Sequence, residues 1–405
     1  FITGHEIPVL DQLHKQVILI KGTRSSEIER VANLFRLKRH KTRIEIDLSA
    51  LKNNLRFWRS QISEQTKVLV MVKASSYGSG IEKIGQFISE KGVDYLGVAY
   101  VDEGIMLRNV GVKTPILVMN ADEDSFEQLI QYELEPTIFS FAMLDSFTKA
   151  LIYHHKENYP IHLKFDTGMR RLGFEPQDVK KVLEFIQSQP ELKVQSIYSH
   201  LAESDNLNSR DFTYAQIKTF VGIADHVENH LAYPFLKHVL NSEGISRFPE
   251  AQFDMIRIGI GLYGISVNPD IKSNLVPAVA WKSIVSQIKE VKKGESIGYG
   301  RSYMAQSNRK IAIIPVGYAD GFKRSLGNGK GSMVINGQVC FVTGNVCMDM
   351  TMLDVTDLDD VKDGDEVEII GKQQCIEDLA EKMDTIPYEI LTSLSRRLER
   401  VYIDE

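Results

Sequence analysis

The sequence predicts an α/β chain: a (β/α)8 barrel of the TIM type, then a C-terminal all-β domain. Two observations carry the barrel. Eight apolar, strand-like runs alternate with amphipathic segments, and polar residues gather at the C-terminal ends of those runs. A third carries the second domain, because beyond about Leu275 the helical period fades and short strands separated by turn residues take over.

The eight runs are Val68–Lys73, Tyr95–Ala99, Pro115–Met119, Pro136–Ser140, Ile161–Asp166, Val194–His200, Phe235–Asn241 and Met255–Ile265. Between them lie segments such as Val179 to Ile186, with Lys180, Lys181 and Glu184 on the polar face. Lys73 closes the first run, Lys164 and Asp166 the fifth, His200 the sixth, and Asn241 with Ser242 the seventh. In a barrel of this kind the C-terminal ends of the strands carry the active site. The later strands are predicted at Arg309–Val316, Ser332–Ile335, Gln338–Val342, Met350–Val355 and Asp365–Ile370, with Asn336-Gly337 as a hairpin signal and Asp363-Gly364 as another turn. Thr42–Leu48 alternates Ile44, Ile46 and Leu48 with polar residues and reads as a further strand. The predicted boundaries are 1–40 for a separate N-terminal piece, 41–48 for a strand joining the β-domain, 49–275 for the barrel and 276–405 for the β-domain.

The 405 residues exceed one comfortable core, and 43% hydrophobic with 25% charged residues is ordinary for a globular protein. A net charge of −6 argues against a general nucleic-acid surface. Three cysteines, Cys340, Cys347 and Cys375, form no CxxC pair, which fits a reducing, cytoplasmic setting and offers no metal motif. No apolar run approaches 18 residues, so no membrane span is expected. The start at Phe1 rather than methionine suggests a fragment.

Lys73 is the most informative residue. It closes an apolar run and precedes the small-residue turn Ala74-Ser75-Ser76-Tyr77-Gly78. An ammonium at the end of an apolar strand needs a partner or gives up its charge, and a neutral lysine attacks aldehydes. The alternative is a strand-end lysine whose head reaches solvent. Arg257, in Met255-Ile256-Arg257-Ile258-Gly259-Ile260-Gly261, must be paired inside so apolar a run. The GxGxxG formed by Gly259, Gly261 and Gly264 lies in the eighth run rather than after a first strand, so it is not a dinucleotide site. Read singly, His200 is a structural histidine, Tyr299 a loop aromatic and Cys347-Met348 a packing pair.

Taken in order, Val70–Gly80, Leu163–Gly173 (Leu-Lys-Phe-Asp-Thr-Gly-Met-Arg-Arg-Leu-Gly), Met255–Gly264, Gly298–Tyr303 and Val346–Asp349 resemble the motifs of alanine racemases. These are two-domain enzymes dependent on pyridoxal 5'-phosphate (PLP) that interconvert L- and D-alanine. The resemblance runs from about Arg43 to Tyr402. It implies that Lys73 holds the cofactor as a Schiff base and then works as acid or base on one face of the substrate. Tyr299 is implied on the other face, supplied by the partner in a head-to-tail homodimer. The resemblance places Arg257 at the pyridine nitrogen and His200 beside the ring. The phosphate falls to Tyr77, Ser242 and the Gly259 and Ile260 amides, with Asn241 beside them. Arg171 and the Met348 amide are implied for the substrate carboxylate, Tyr318 for narrowing the approach, and Lys164 (in carbamylated form) and Asp349 for support.

Two positions depart from the family pattern. Arg170 stands where glycine is usual, and Arg396 stands at the place of a tyrosine that touches the phosphate. An arginine there binds phosphate directly or leaves the pocket wider. The activity implied is alanine racemisation supplying D-alanine for peptidoglycan. A broad-specificity racemase of the same fold and a non-catalytic PLP-binding protein stay open as alternatives. Val17–Ser25 looks like the last strand and turn of a Mur ligase, so residues 1–40 read as the remnant of a ligase fused to the racemase half. No ligase P-loop occurs in the sequence.

Overall fold

The computed structural model of the chain describes residues 41–404. The expected ligase remnant lies outside the described residues. The first strand, β1 (Arg43–Asp47), alternates buried Ile44 and Ile46 with polar neighbours, as a strand covered on one face does. Asp47 then caps the helix Leu48–Ser60, its carboxylate accepting from the Ala50 amide at 2.8 Å.

Eight parallel strands follow: β2 (Lys67–Met71), β3 (Tyr95–Val98), β4 (Ile116–Val118), β5 (Glu135–Ile138), β6 (Tyr159–Lys164), β7 (Leu192–Tyr198), β8 (Leu236–His238) and β9 (Met255–Ile258). From β2 to β8 each pairs with the next, and β9 pairs with β2, Leu69 lying opposite Arg257. Backbone bonds from Asp254 N to Lys237 O and from Arg257 N to Leu240 O link the last two strands, so the sheet closes. The helices between strands bury one stripe each; in Val179–Gln187 it is Val182, Leu183 and Ile186. The eighth run is shorter than expected. β9 stops at Ile258, and a 3-10 turn over Ile260–Tyr263 ends at left-handed Gly264.

The C-terminal part is β-rich. A six-stranded sheet has the order β16-β15-β18-β10-β1-β19, using β10 (Val279–Ile284), β15 (Ser332–Ile335), β16 (Gln338–Phe341), β18 (Glu366–Ile370) and β19 (Glu399–Ile403). β1 pairs antiparallel with β10 and parallel with β19, which ties the start of the described chain to its end. A second sheet joins β11 (Gln287–Val291), β14 (Arg309–Ile314) and β17 (Thr351–Asp354). β12 (Ser296–Ile297) and β13 (Tyr303–Met304) form a small ribbon around residues 298–302. Asn336 and Gly337 both take positive φ, the geometry of a tight hairpin between β15 and β16. The domain is not purely β: helices Ile376–Met383 and Pro387–Ser393 lie before β19.

Candidate active site

Lys73 lies just past the end of β2, and the backbone there departs from anything its sequence signals. Ala74, Ser75, Ser76 and Tyr77 all have φ between 52° and 54°, the left-handed region. Such a turn costs about 1–2 kcal/mol per residue and persists only where its surroundings enforce it. The enforcing bonds are visible. Ser75 N donates to Glu103 Oε1 at 3.2 Å, and the Tyr263 hydroxyl donates to Ser76 O at 2.7 Å. The turn brings Tyr77 back beneath Lys73, into the same cavity of about 460 Å³.

That cavity opens at the C-terminal ends of the strands. Lys73, Tyr77, Lys164, Arg171, His200, Asn241, Ser242, Arg257 and Gly259 all line it, together with Tyr198, Met119 and Met169. Four cationic side chains therefore share one space. Among the described residues none of the four forms an ion pair with a carboxylate. Burial and then the Arg171 charge lower the pKa of Lys73, with Glu103 opposing. Burial and the guanidinium groups of Arg171 and Arg257 bring Lys164 down to about 8. Burial brings Arg257 down to about 10, still cationic at neutral pH. Burial and the neighbouring cations push His200 well below its usual value, so its imidazole is neutral.

Arg257 is fastened by its two terminal nitrogens. NH1 donates to His238 Nδ1 at 2.7 Å and His238 O at 3.2 Å. NH2 donates to Ser199 O at 2.8 Å, Val239 O at 2.9 Å and His200 Nδ1 at 3.3 Å. Its guanidinium also lies 5.4 Å from the centroid of the Tyr198 ring, which stacks on His238. Arg171 is placed through its loop. The Asp166 carboxylate accepts from the amides of Gly168 (2.7 Å), Arg170 (3.1 Å) and Arg171 (3.1 Å). Burial resists ionisation of Asp166, but these amides outweigh it and hold the carboxyl below its ordinary value. Arg170 sits at φ 56°, a conformation that favours glycine, and its head pairs with Glu175 at 3.1 Å outside the cavity.

At the far end, Ser242, Tyr77 and Gly259 converge. The Gly259 amide donates to Ser242 Oγ at 3.0 Å, and a Cβ on Gly259 would lie 2.7 Å from the Tyr77 hydroxyl. Burial raises the Tyr77 pKa, so the phenol stays a donor. Amide, hydroxyl and phenol in a space ringed by cations suit a phosphate group. Ile260 is buried in the turn behind rather than lining the cavity. Asn241 is occupied structurally, its Oδ1 accepting from Ser204 Oγ and from Gly244 N, each at 2.9 Å.

Tyr299, Tyr318, Met348 and Asp349 do not line this cavity. They lie on the β-domain, where Tyr299 is 71% exposed and Tyr318 and Met348 are also exposed. The loops that carry Tyr318 and Met348 are laced together. Tyr318 N donates to Cys347 O and Ala319 N to Met348 O, each at 3.1 Å, and Asn345 Nδ2 reaches Tyr299 O at 2.9 Å. Arg397 donates to both Asp320 and Asp349 at 2.7 Å.

Arg396 likewise sits elsewhere, in a neighbouring groove with Ala74, Ser75, Tyr100, Arg400 and Tyr402. The C-terminal tyrosine that does line the cavity is Tyr388, whose phenol burial pushes up to about 12. Sequence reasoning missed it, along with Tyr198, Ser204, Asp205, Glu243 and the supporting Glu103.

A closed barrel with a desolvated lysine at its mouth, beside an anion cradle and backed by a β-domain, defines a barrel enzyme whose chemistry centres on that lysine. The model of the alanine racemase N-terminal domain matches residues 46–267, and that of the alanine racemase C-terminal domain matches residues 278–402. The chain belongs to the alanine racemase family. It is 36% identical over 365 residues to the alanine racemase of Halothermothrix orenii, covering 88% of this chain and 96% of that protein. Among solved structures, the alanine racemase of Clostridium difficile 630 superimposes with a TM-score of 0.85 at 33% identity, covering 90% of this chain and 96% of that one. The Bartonella henselae alanine racemase with covalently bound pyridoxal phosphate gives a TM-score of 0.82 at 30% identity, over 90% and 99% of the two chains.

Proposed function

We propose that this chain is a PLP-dependent racemase that interconverts L- and D-alanine. One observation carries the reading: a buried lysine whose pKa is lowered, three further cations and a hydroxyl–amide cradle meet in one barrel-mouth cavity. The cations match an anionic cofactor and a substrate carboxylate, and the cradle matches a phosphate. Lys73 is the anchoring amine. Tyr77, Ser242 and the Gly259 amide hold the phosphate, with Ile260 and Asn241 behind it. Arg257 keeps its proton at working pH, and its bonds use NH1 and NH2, so its Nε–H is the donor left for the ring nitrogen. His200 lies beside the ring. Bound there, PLP supplies the electron-withdrawing ring that stabilises the charge left at Cα when its proton departs.

Lys73 then takes or returns that proton on one face, and Tyr299 of the partner subunit does so on the other, in a head-to-tail homodimer. Arg171 and the Met348 amide receive the carboxylate, Tyr318 narrows the approach, and Lys164 and Asp349 support them. The D-alanine formed serves peptidoglycan synthesis in the cytoplasm; among the described residues no helix is long and apolar enough to cross a membrane. The functional units are 41–48 with 276–405 as the β-domain and 49–275 as the cofactor barrel, while residues 1–40 are a ligase remnant.

The test is to load the purified chain with PLP and incubate it with L-alanine in deuterated water. D-Alanine carrying deuterium at Cα is the expected product. Cofactor binding without exchange would reduce the chain to a PLP carrier, and a chain that binds no PLP would overturn the role of Lys73. Repeating the incubation with L-serine and L-lysine separates an alanine enzyme from a broad one.

A further inference from the structure

The interior of a small barrel is packed mainly with branched apolar side chains. Across this one runs a file of polar groups that starts at Arg257 and leaves the active site. Arg257 NH1 donates to His238 Nδ1 at 2.7 Å; His238 Nε2 lies 3.0 Å from Ser196 Oγ; Ser196 Oγ lies 2.6 Å from His162 Nδ1; and His162 Nε2 lies 2.8 Å from Glu135 Oε2. His162, Ser196 and His238 are wholly buried, and none of them, nor Glu135, lines the cavity. The file crosses four strands, β9, β8, β7 and β6, and ends at the start of β5. There the Tyr95 hydroxyl, from β3, donates to the same Glu135 oxygen at 3.1 Å.

The two ends fix the direction of every bond between them. A guanidinium has no acceptor, so His238 Nδ1 carries the lone pair and His238 Nε2 the hydrogen. An ionised carboxylate has no donor, so His162 Nε2 carries the hydrogen and His162 Nδ1 the lone pair. Ser196 then accepts from His238 and donates to His162, and the file is complete with both histidines neutral. A cationic His162 would aim a second N–H at Ser196 Oγ and strand the hydroxyl proton in the core, which buried polar groups avoid. A reversed file would set an N–H of His238 against an N–H of Arg257.

We propose that Glu135 is a positioning residue for Arg257, acting through His162, Ser196 and His238. The carboxylate holds the file in one direction, so that His238 presents its lone pair to NH1 and the guanidinium keeps one orientation toward the cavity. Without the file Arg257 would be held by three backbone carbonyls and the longer bond to His200, and NH1 would lose its shortest partner. Polar networks of this kind specify a single arrangement when every member is satisfied. For its kinetic half this inference rests on the racemase reading above; its spectroscopic half does not.

The experiment uses the full chain loaded with PLP and labelled with 15N-histidine. Two-bond proton–nitrogen spectra, assigned through single substitutions, read the protonation of each ring. Both His162 and His238 are expected to carry their ring hydrogen on Nε2, with Nδ1 as the acceptor. A cationic ring or an Nδ1–H form at either site would overturn the proposal. Glu135→Gln keeps the shape but introduces a donor, and it is expected to move the His238 signals although three bonds separate the two residues. In Ser196→Ala, which breaks the file, the same change is expected to leave His238 unmoved.

Kinetically, each single variant is expected to lower kcat roughly three- to tenfold with KM within about twofold, and the double variant to be no worse than the poorer single. Additive losses, or losses in melting temperature with kcat untouched, would mark a merely structural network and overturn the proposal. Should Glu135→Gln fail to fold, Ser196→Ala alone decides, through its kcat and the His162 signals. A wild-type chain that racemises nothing would sink the racemase reading while leaving the ring protonation states to judge the file.

Discussion

Gly259 shows how little room the phosphate end allows. A methyl group there would stand 2.7 Å from the Tyr77 hydroxyl, inside any normal contact, and Tyr77 is locked by its left-handed turn and cannot retreat. Gly259→Ala is therefore expected to weaken PLP binding by roughly tenfold or more while the barrel still folds, checked by titrating the apo-chain with PLP in the visible range. At Lys73 burial and the surrounding charges set the pH dependence. Burial and Arg171 lower its pKa, so the reactive neutral amine accumulates at lower pH than in free lysine. The rate of PLP capture should rise with pH, with its midpoint below the ordinary lysine value of 10.5. Glu103 opposes that shift. Glu103→Gln should therefore move the midpoint of the capture profile to lower pH, measured by stopped-flow absorbance; a midpoint moving upward would contradict the assigned balance of charges.

The strand-to-helix loop that carries Arg171 is the element on which substrate binding turns. Three of its amides close on one carboxylate, so Asp166→Ala should let the loop fluctuate. KM for alanine should rise about tenfold with a smaller change in kcat, while Asp166→Asn, which keeps one acceptor oxygen, should fall between. At this scale much was legible beforehand. The eight barrel strands stand out because parallel strands buried on both faces read as continuous apolar runs, and the Asn336-Gly337 hairpin has its own chemistry. Helix Ile376–Met383 was missed although Ile376, Leu379, Ala380 and Met383 repeat at helical spacing, because eight residues within a run of short strands carry too little signal. The left-handed turn after Lys73 was not legible at all. Ala, Ser and Tyr carry no local preference for positive φ, so the conformation comes from Glu103 and Tyr263 elsewhere in the fold. The buried file to Glu135 had a visible trace: His162 precedes Lys164 by two and Ser196 precedes Tyr198 by two, and residues two apart in a strand share a face.

At the scale of the whole molecule, the conspicuous fact is that the proposed chemistry is split between two surfaces. The barrel mouth holds the lysine, the cations and the phosphate cradle, while Tyr299, Tyr318 and Met348 stand exposed on the β-domain and line no part of that cavity. Exposed apolar and aromatic side chains grouped on one face are the mark of a contact surface. A head-to-tail pairing would place that face of one protomer over the barrel mouth of the other, with each site drawing on both chains. The arrangement makes a prediction that a self-sufficient monomer cannot meet. Lys73→Ala and Tyr299→Phe should each be nearly inactive as purified dimers. Mixed by unfolding and refolding together in equal amounts, half of the dimers are hybrids, and each hybrid contains one site with both residues intact. The mixture should therefore recover about a quarter of the wild-type specific activity, in step with the fraction of hybrid measured by mass spectrometry. If Lys73 and Tyr299 served one site within one chain, every hybrid would hold only damaged sites and mixing would recover nothing.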